Sequence, residues 1–168
     1  IAPTYLSLGN HEWMLHSSDL RLIADTGAVV LDNTFISTEV DGQRIILAGL
    51  SSARVTDYQR WRAGHPSSEL YPRETYHVEK TEPNLSWLSD FTAVPGYHVL
   101  LCHHPEYYHL LRDWDIDLIL SGHAHGGQWR FYNPIKREWV GVWSPGQGFL
   151  PRRTSGVHDG RLVISRGL

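Results

Sequence analysis

Apolar and polar positions fall into short alternating blocks along this chain, and the blocks predict strands and helices in turn. Thr4 to Leu8 reads as a short strand running into Gly9-Asn10. Ser17 or Ser18 caps a helix through Leu20, Leu22, Ile23 and Ala24, with Gly27 as its stop. Ala28 to Leu31 is a short β-prone run, and Thr34 to Val40 and Gln43 to Ala48 flank Asp41-Gly42, a two-residue hairpin signal. Ser51 to Lys80 is polar with no clean period, so it reads as a long excursion with a helical piece around Tyr58 to Trp61. Glu82 to Phe91 predicts a helix with Leu85 and Leu88 on one face. Tyr97 to Cys102 and Ile116 to Leu120 read as buried strands, with a helix from Glu106 to Trp114 between them. That βαβ unit predicts a mixed α/β sheet. Gln128 to Tyr132 reads as a strand leading away from this unit, and Val157 and Leu162 to Ser165 flank Asp159-Gly160 as a second hairpin.

Composition narrows this picture only a little. A length of 168 residues is enough for one buried core. Hydrophobic residues at 41% and charged residues at 20% are ordinary for a globular protein. A formal charge of −3 gives no broad electrostatic reason to expect nucleic acid. No apolar run approaches the roughly 20 residues of a membrane-spanning helix. The single cysteine, Cys102, excludes an internal disulfide and reads as a small apolar residue in a strand. The chain starts in mid-strand and ends directly after an apolar run, so it reads as a piece of a longer protein. Any targeting segment would then lie outside it, and the expected location is cytoplasmic or membrane-peripheral.

The chemistry sits in three stretches: Gly9-Asn10-His11-Glu12, His103-His104-Pro105 and Gly122-His123-Ala124-His125-Gly126-Gly127. Each follows an apolar run, so each predicts a ligand-type side chain at a strand's end. Neutral imidazole is the commonest protein ligand for transition metals, and amide oxygen suits harder ions. His123 and His125 would point the same way in an extended segment, or splay toward two neighbouring ions in a glycine-flanked loop. Each stretch alone has an ordinary reading. His-X-His recurs by chance, and Gly-Asn is a turn dipeptide. His104 reads as a surface residue or one behind the ligands. His16, His65, His77, His98, His109 and His158 have no partner pattern and read as structural or solvated. The ordered combination is what points to a metal site.

Other metal and nucleophile patterns fit worse. A cupin wants a Glu a few residues after His-X-His, and Gly126-Gly127-Gln128-Trp129-Arg130 has none. Gly126-Gly127 also breaks the X-Asp-His continuation of a metallo-β-lactamase. There is no Walker-type or dinucleotide-type glycine run, and no Gly-X-Ser-X-Gly elbow.

The combination resembles the calcineurin-like metallophosphoesterases. Their motifs run in the order Asp-X-His, Gly-Asp-X-X-Asp, Gly-Asn-His-Asp/Glu, a His followed by X-Pro, and Gly-His-X-His. This chain carries the last three, in order. The run from Asp117 to Gln128, Ser144-Pro145-Gly146-Gln147-Gly148 and the ending Val163 to Leu168 are similar to a bacterial branch of that family. The resemblance implies an α/β fold, with this chain as the C-terminal portion of a four-layer αββα sandwich with mixed sheets. Residues 1–168 would then be a single, truncated domain. It implies metal-dependent hydrolysis of phosphate esters, phosphodiesters in particular, through a dinuclear site activating a bridging water. Asn10, His103 and His123 would bind the second metal and His125 the first. His11 would be catalytic, facing the phosphoryl group, with Glu12 holding it in orientation. Two divalent ions are implied in the intact enzyme: Mn, Fe or Zn, with Mg allowed.

The first two motifs are absent, and with them the carboxylate that bridges the ions. Without it two cations about 3.5–4 Å apart repel with little compensation. The expectation is therefore that they precede Ile1, that this chain alone holds one ion or none, and that alone it is inactive or nearly so. Apolar sheet surface left bare by missing strands would favour a dimer. The substrate implied is a small anionic phosphoester, a nucleotide or lipid headgroup among the choices. Trp129, Phe131, Tyr132, Trp139, Trp143 and Phe149, with Arg130, Lys136, Arg137, Arg152 and Arg153 against only Glu138, offer an aromatic and basic wall for it; they also read as core aromatics with a solvated basic face. The competing class is a non-catalytic metal-binding or interaction module that kept the fold.

Overall fold

A computed structural model describes residues 3–12, 15, 17–53, 82–135 and 137–167. Most of the polar excursion and its helical piece, with His16, His65, His77 and Lys136, lie outside the described residues. Strand β1 (Thr4–Ser7) leads to helix α1 (Ser17–Asp25), then β2 (Ala28–Leu31), which pairs parallel with β1. Strands β3 (Thr34–Val40) and β4 (Gln43–Leu50) form the expected hairpin, with Asp41 at φ 50° and Gly42 at φ 78°. Positive φ at both turn positions matches the twist of the flanking strands. Helix α2 (Leu88–Ala93), strand β5 (Tyr97–Cys102), a 3-10 turn (Pro105–Tyr107), helix α3 (Tyr108–Leu111) and strand β6 (Leu118–Ser121) follow. Then come β7 (Trp129–Asn133), β8 (Glu138–Ser144), β9 (Gly148–Phe149), β10 (Gly156–His158) and β11 (Leu162–Ile164).

The main sheet is six-stranded and mixed, in the order β10-β11-β6-β5-β4-β3. Strands β4, β5, β6 and β11 run parallel, and an antiparallel strand lies at each edge. One face carries Ile46, Ala48 and Leu50 of β4, Leu100 and Cys102 of β5 and Ile119 of β6. Leu88 and Phe91 of α2 and Tyr108 and Leu111 of α3 cover that face. The other face of β4 meets β2, where Leu31 lies over Gly49. With both faces covered, β4 reads as a near-continuous apolar run rather than an alternating one.

Two helices are shorter than predicted. The helix expected from Glu82 starts only at Leu88. Asn84 Oδ1 accepts from the Ser86 amide at 3.1 Å and its hydroxyl at 2.7 Å, and this local turn competes with the helix. The helix expected from Glu106 to Trp114 is a 3-10 turn and one short α segment. Past its end, the Arg161 guanidinium donates to the carbonyls of Arg112, Trp114 and Ile116. Carbonyls after the helix thus find a donor across the fold, so the segment leaves the helix with these groups paired. Strands β8 and β9 were not foreseen. They form a three-stranded sheet, β7-β8-β9, whose aromatics are not core: Trp129 and Phe149 are each 73% exposed. Among the described residues no helix is long and apolar enough to cross a membrane.

Candidate metal centre

Backbone bonds stitch four strand exits together. The Ser52 amide donates to the Leu8 carbonyl at 2.8 Å, tying the end of β4 to the end of β1. The Gly122 amide donates to the His103 carbonyl at 3.1 Å, tying β6 to β5. The carboxyl ends of parallel strands therefore meet at one edge, the usual place for a site in an open α/β sheet.

Gly9 is buried there because it must be small. A Cβ on it would fall 2.8 Å from Cγ and Cδ2 of His103 and 2.9 Å from Glu12 Oε2. Its amide donates to Glu12 Oε2 at 2.6 Å. That carboxylate oxygen closes the Gly9–Glu12 turn.

With this loop pressed on His103, Asn10 Oδ1 lies 2.9 Å from His103 Nε2. The ring of His123 is 5.0 Å from that of His103. Two donors bound to one ion at about 2.1 Å, roughly a right angle apart, are about 3 Å from each other. The amide oxygen and imidazole nitrogen thus fit the edge of one coordination shell. His123 and His125 both stand in the left-handed region, at φ 61° and 52°. The glycine-flanked loop, not an extended strand, carries them. Left-handed backbone costs a non-glycine residue about 1–3 kcal/mol and collects at functional sites. His125 and His11 are exposed, and both are close enough to bear on the charge of His103.

Burial keeps the two inner imidazoles neutral, and the neighbouring His104 adds to it: His103 is lowered to about 4 and His123 to about 3. A neutral ring is the ligating form. The same shift sets a pH dependence. Between about 6.5 and about 4 the unfolded chain binds protons on these rings and the folded chain does not, so stability rises with pH. The metal-free protein is expected to lose thermal stability steadily as pH falls from 6.5 toward 4. His103→Gln combined with His123→Gln should flatten that slope. A midpoint that stays level across this range in the unsubstituted protein would contradict the assignment.

Two further residues lie against these imidazoles. His104 is 6% exposed and lies behind the site, not on the surface. Its Nδ1 is 3.0 Å from Glu106 Oε1 and its Nε2 is 2.9 Å from Ser52 Oγ. Glu106 Oε1 is also 3.7 Å from His123 Nε2. Burial would raise the Glu106 carboxyl, but the hydrogen bond from His104, with a backbone hydrogen bond beside it, helps hold the group below its ordinary range. Among the described residues, the ligand-type atoms of His104, Glu106 and His123 all lie within 4.8 Å of one another. Glu106 directly follows His103-His104-Pro105, but no local pattern marks it as part of the site.

A family model described as calcineurin-like phosphoesterase matches residues 1–127. Two curated proteins of Bacillus subtilis (strain 168) are similar to this chain. The uncharacterized protein YpbG is 26% identical over 131 residues, 77% of this chain and 41% of its own length. The uncharacterized metallophosphoesterase YkoQ is 25% identical over 134 residues, 77% of this chain and 40% of its own length. The aligned part is thus about two fifths of either relative. No solved structure matches the chain at comparable significance.

Proposed function

Because this chain belongs to the calcineurin-like phosphoesterase family, we propose that its parent protein hydrolyses phosphodiesters at a centre to which Asn10, His103, His123 and His125 contribute ligands. Metal-dependent phosphoester hydrolysis is the family's general activity; the diester preference and the residue roles are the reading advanced for this protein. The observation that carries it is the 2.9 Å approach of Asn10 Oδ1 to His103 Nε2 across 93 positions of sequence, with His123 beside them. Divalent ions held there supply Lewis acidity toward phosphoryl oxygens and lower the pKa of a water toward neutrality.

The chain's own residues do the rest. Asn10 contributes a neutral oxygen that needs no deprotonation, and His103 and His123 are neutral rings, each with one nitrogen lone pair to offer. His11, next to Asn10 and exposed, donates a proton to the departing ester oxygen or a hydrogen bond to the phosphoryl group. The remaining ligands of the first ion, the bridging carboxylate among them, would come from another part of a longer protein. Manganese, iron or zinc suits the imidazole-rich set better than magnesium. Beside His125, a Cβ on Gly126 would fall 3.3 Å from Arg130 Nη1, so positive charge stands near the loop. With the exposed aromatics of β7 and β8, this favours an anionic ester bearing a ring or an apolar group.

The test uses the full-length protein on an aryl phosphodiester and the matching monoester. Stripping with a chelator should stop hydrolysis of the diester, and Mn(II) should restore it. Arg130→Glu should raise KM for the diester while leaving metal content unchanged. Turnover that survives stripping, or none with Mn, Fe or Zn supplied, would overturn the activity. A faster monoester would overturn the diester preference.

A further inference from the structure

Glu106 has no part in the proposed ligand set, yet it is more enclosed than its place on a surface turn requires. Its Oε2 is buried without a hydrogen-bond partner among the described residues. Above it, the turn between β8 and β9 closes directly on the carboxylate. A Cβ on Gly146 would lie 1.8 Å from Oε1 and 2.3 Å from Cδ, and Gly146 takes φ 72°. Only a residue without a side chain lets the turn come this near. An ionised carboxylate accepts hydrogen bonds and donates none, so any imidazole nitrogen facing it is stabilised as N–H and destabilised as a lone pair.

That rule settles two tautomers. His104 presents Nδ1 at 3.0 Å and so carries its proton there, which leaves Nε2 to accept from the Ser52 hydroxyl at 2.9 Å. Both nitrogens of His104 are therefore engaged, and it has none left for an ion. His123 presents Nε2 at 3.7 Å. That is longer than a hydrogen bond, but a bare lone pair there would face the carboxylate's negative charge. That charge favours the proton on Nε2, with the lone pair on Nδ1.

From this juxtaposition we infer that Glu106 is a positioning residue: it holds His123 as the Nε2–H tautomer so that Nδ1 is the nitrogen offered to an ion. The inference rests on the reading of His123 as a ligand. Carboxylates behind ligating histidines commonly set which nitrogen binds, and their loss typically costs 10–100-fold in metal affinity. The rival arrangement puts an ion directly among His104, Glu106 and His123. It would need Nδ1 of His104 and Nε2 of His123 both deprotonated toward the carboxylate, which opposes the His104 hydrogen bonds as they stand.

The experiment follows the imidazole nitrogens of the full-length protein by NMR, metal-free and loaded with Zn(II), in wild type and Glu106→Gln. Wild-type His123 should carry its proton on Nε2 in both states. Glu106→Gln, close in size and uncharged, should show the Nδ1–H form in the metal-free protein and bind Zn(II) 10–100-fold more weakly. Loss of the Nε2 proton on loading wild type would place the ion in the rival triad and overturn the inference. So would Zn(II) bound on His123 with tautomer and affinity unchanged by the substitution; that result leaves the proposed function standing. Zn(II) taken up without any change at His123 would sink the ligand reading itself.

Discussion

On the proposed function, His11→Ala in the full-length protein is expected to lower kcat by about 10²–10⁴-fold and to leave bound metal unchanged, whereas His123→Ala loses metal and activity together. The two histidines occupy opposite kinds of position. His123 is enclosed and kept neutral by burial, with its ring 5.0 Å from that of His103. Removing it takes one of the three ligands that this chain is proposed to give that ion. An ion's contribution of several kcal/mol to the transition state corresponds to a loss of about 10³-fold or more. His11 is exposed and takes no part in the contact between Asn10 and His103, so its loss leaves the proposed ligands in place. If His11 protonates the departing oxygen, its value depends on how much that oxygen needs a proton. Aryl esters with acidic phenols leave unaided, and alkyl esters do not. The His11→Ala deficit should therefore be smallest with a nitrophenyl diester and grow as the leaving group becomes more basic. Metal analysis beside kinetics on such a series checks both parts. Equal metal loss in the two variants would contradict the division of roles; a deficit independent of the leaving group would restrict His11 to stabilising phosphoryl charge.

How far the chain could be read follows from where each decision is made. Strands β2, β3 and β5 have the predicted limits because their signals are local: an apolar run and a turn at its end. The hairpin at Asp159-Gly160 was legible for the same reason, with φ 50° and 70° at the two turn positions. The helices failed at their ends, where distant groups decide. Arg161 takes carbonyls from a segment more than forty positions earlier, and no period in that segment announces it. Strand β8 carries no alternating apolar signal, because its buried positions are Gly141 and Ser144 while Trp139 and Trp143 stand exposed. At the site, Asn10, His103 and His123 could be picked out because each follows a strand. Glu106 could not. Its meeting with His123 depends on a 3-10 turn, on the packing of His104 against Ser52, and on a β8–β9 turn that closes over it.

Gly49→Ala is expected to be among the most damaging single substitutions outside the site, although it adds one methyl group. Gly49 lies on an interior strand of the main sheet, paired with Thr34 of β3 and Leu101 of β5. The Cβ it lacks would fall 2.3 Å from the Leu31 carbonyl oxygen and 2.6 Å from Leu31 Cβ. Neither is the free end of a flexible side chain. Relief requires β2 to lift from β4, and Leu31 is 1% exposed at the point where it would have to move. Overpacking a core usually costs about 1–3 kcal/mol. A clash with backbone on a strand already held on both sides belongs at or above the top of that range. At about 3 kcal/mol the midpoint of thermal unfolding should fall by roughly 6–12 °C for a domain of this size. Gly42→Ala makes the comparison. It meets nothing within 4 Å, and its cost is the strain of φ 78° alone, about 1–2 kcal/mol. The two should separate further in metal binding. Lifting β2 drags β1, its parallel partner, and β1 runs straight into Gly9 and Asn10. Gly49→Ala should therefore weaken Zn(II) binding even below its unfolding temperature, while Gly42→Ala, at the far end of the β3–β4 hairpin, should not. Equal midpoints for the two variants, or unweakened Zn(II) binding in Gly49→Ala, would mean that β2 yields without moving the loop that brings Asn10 to His103.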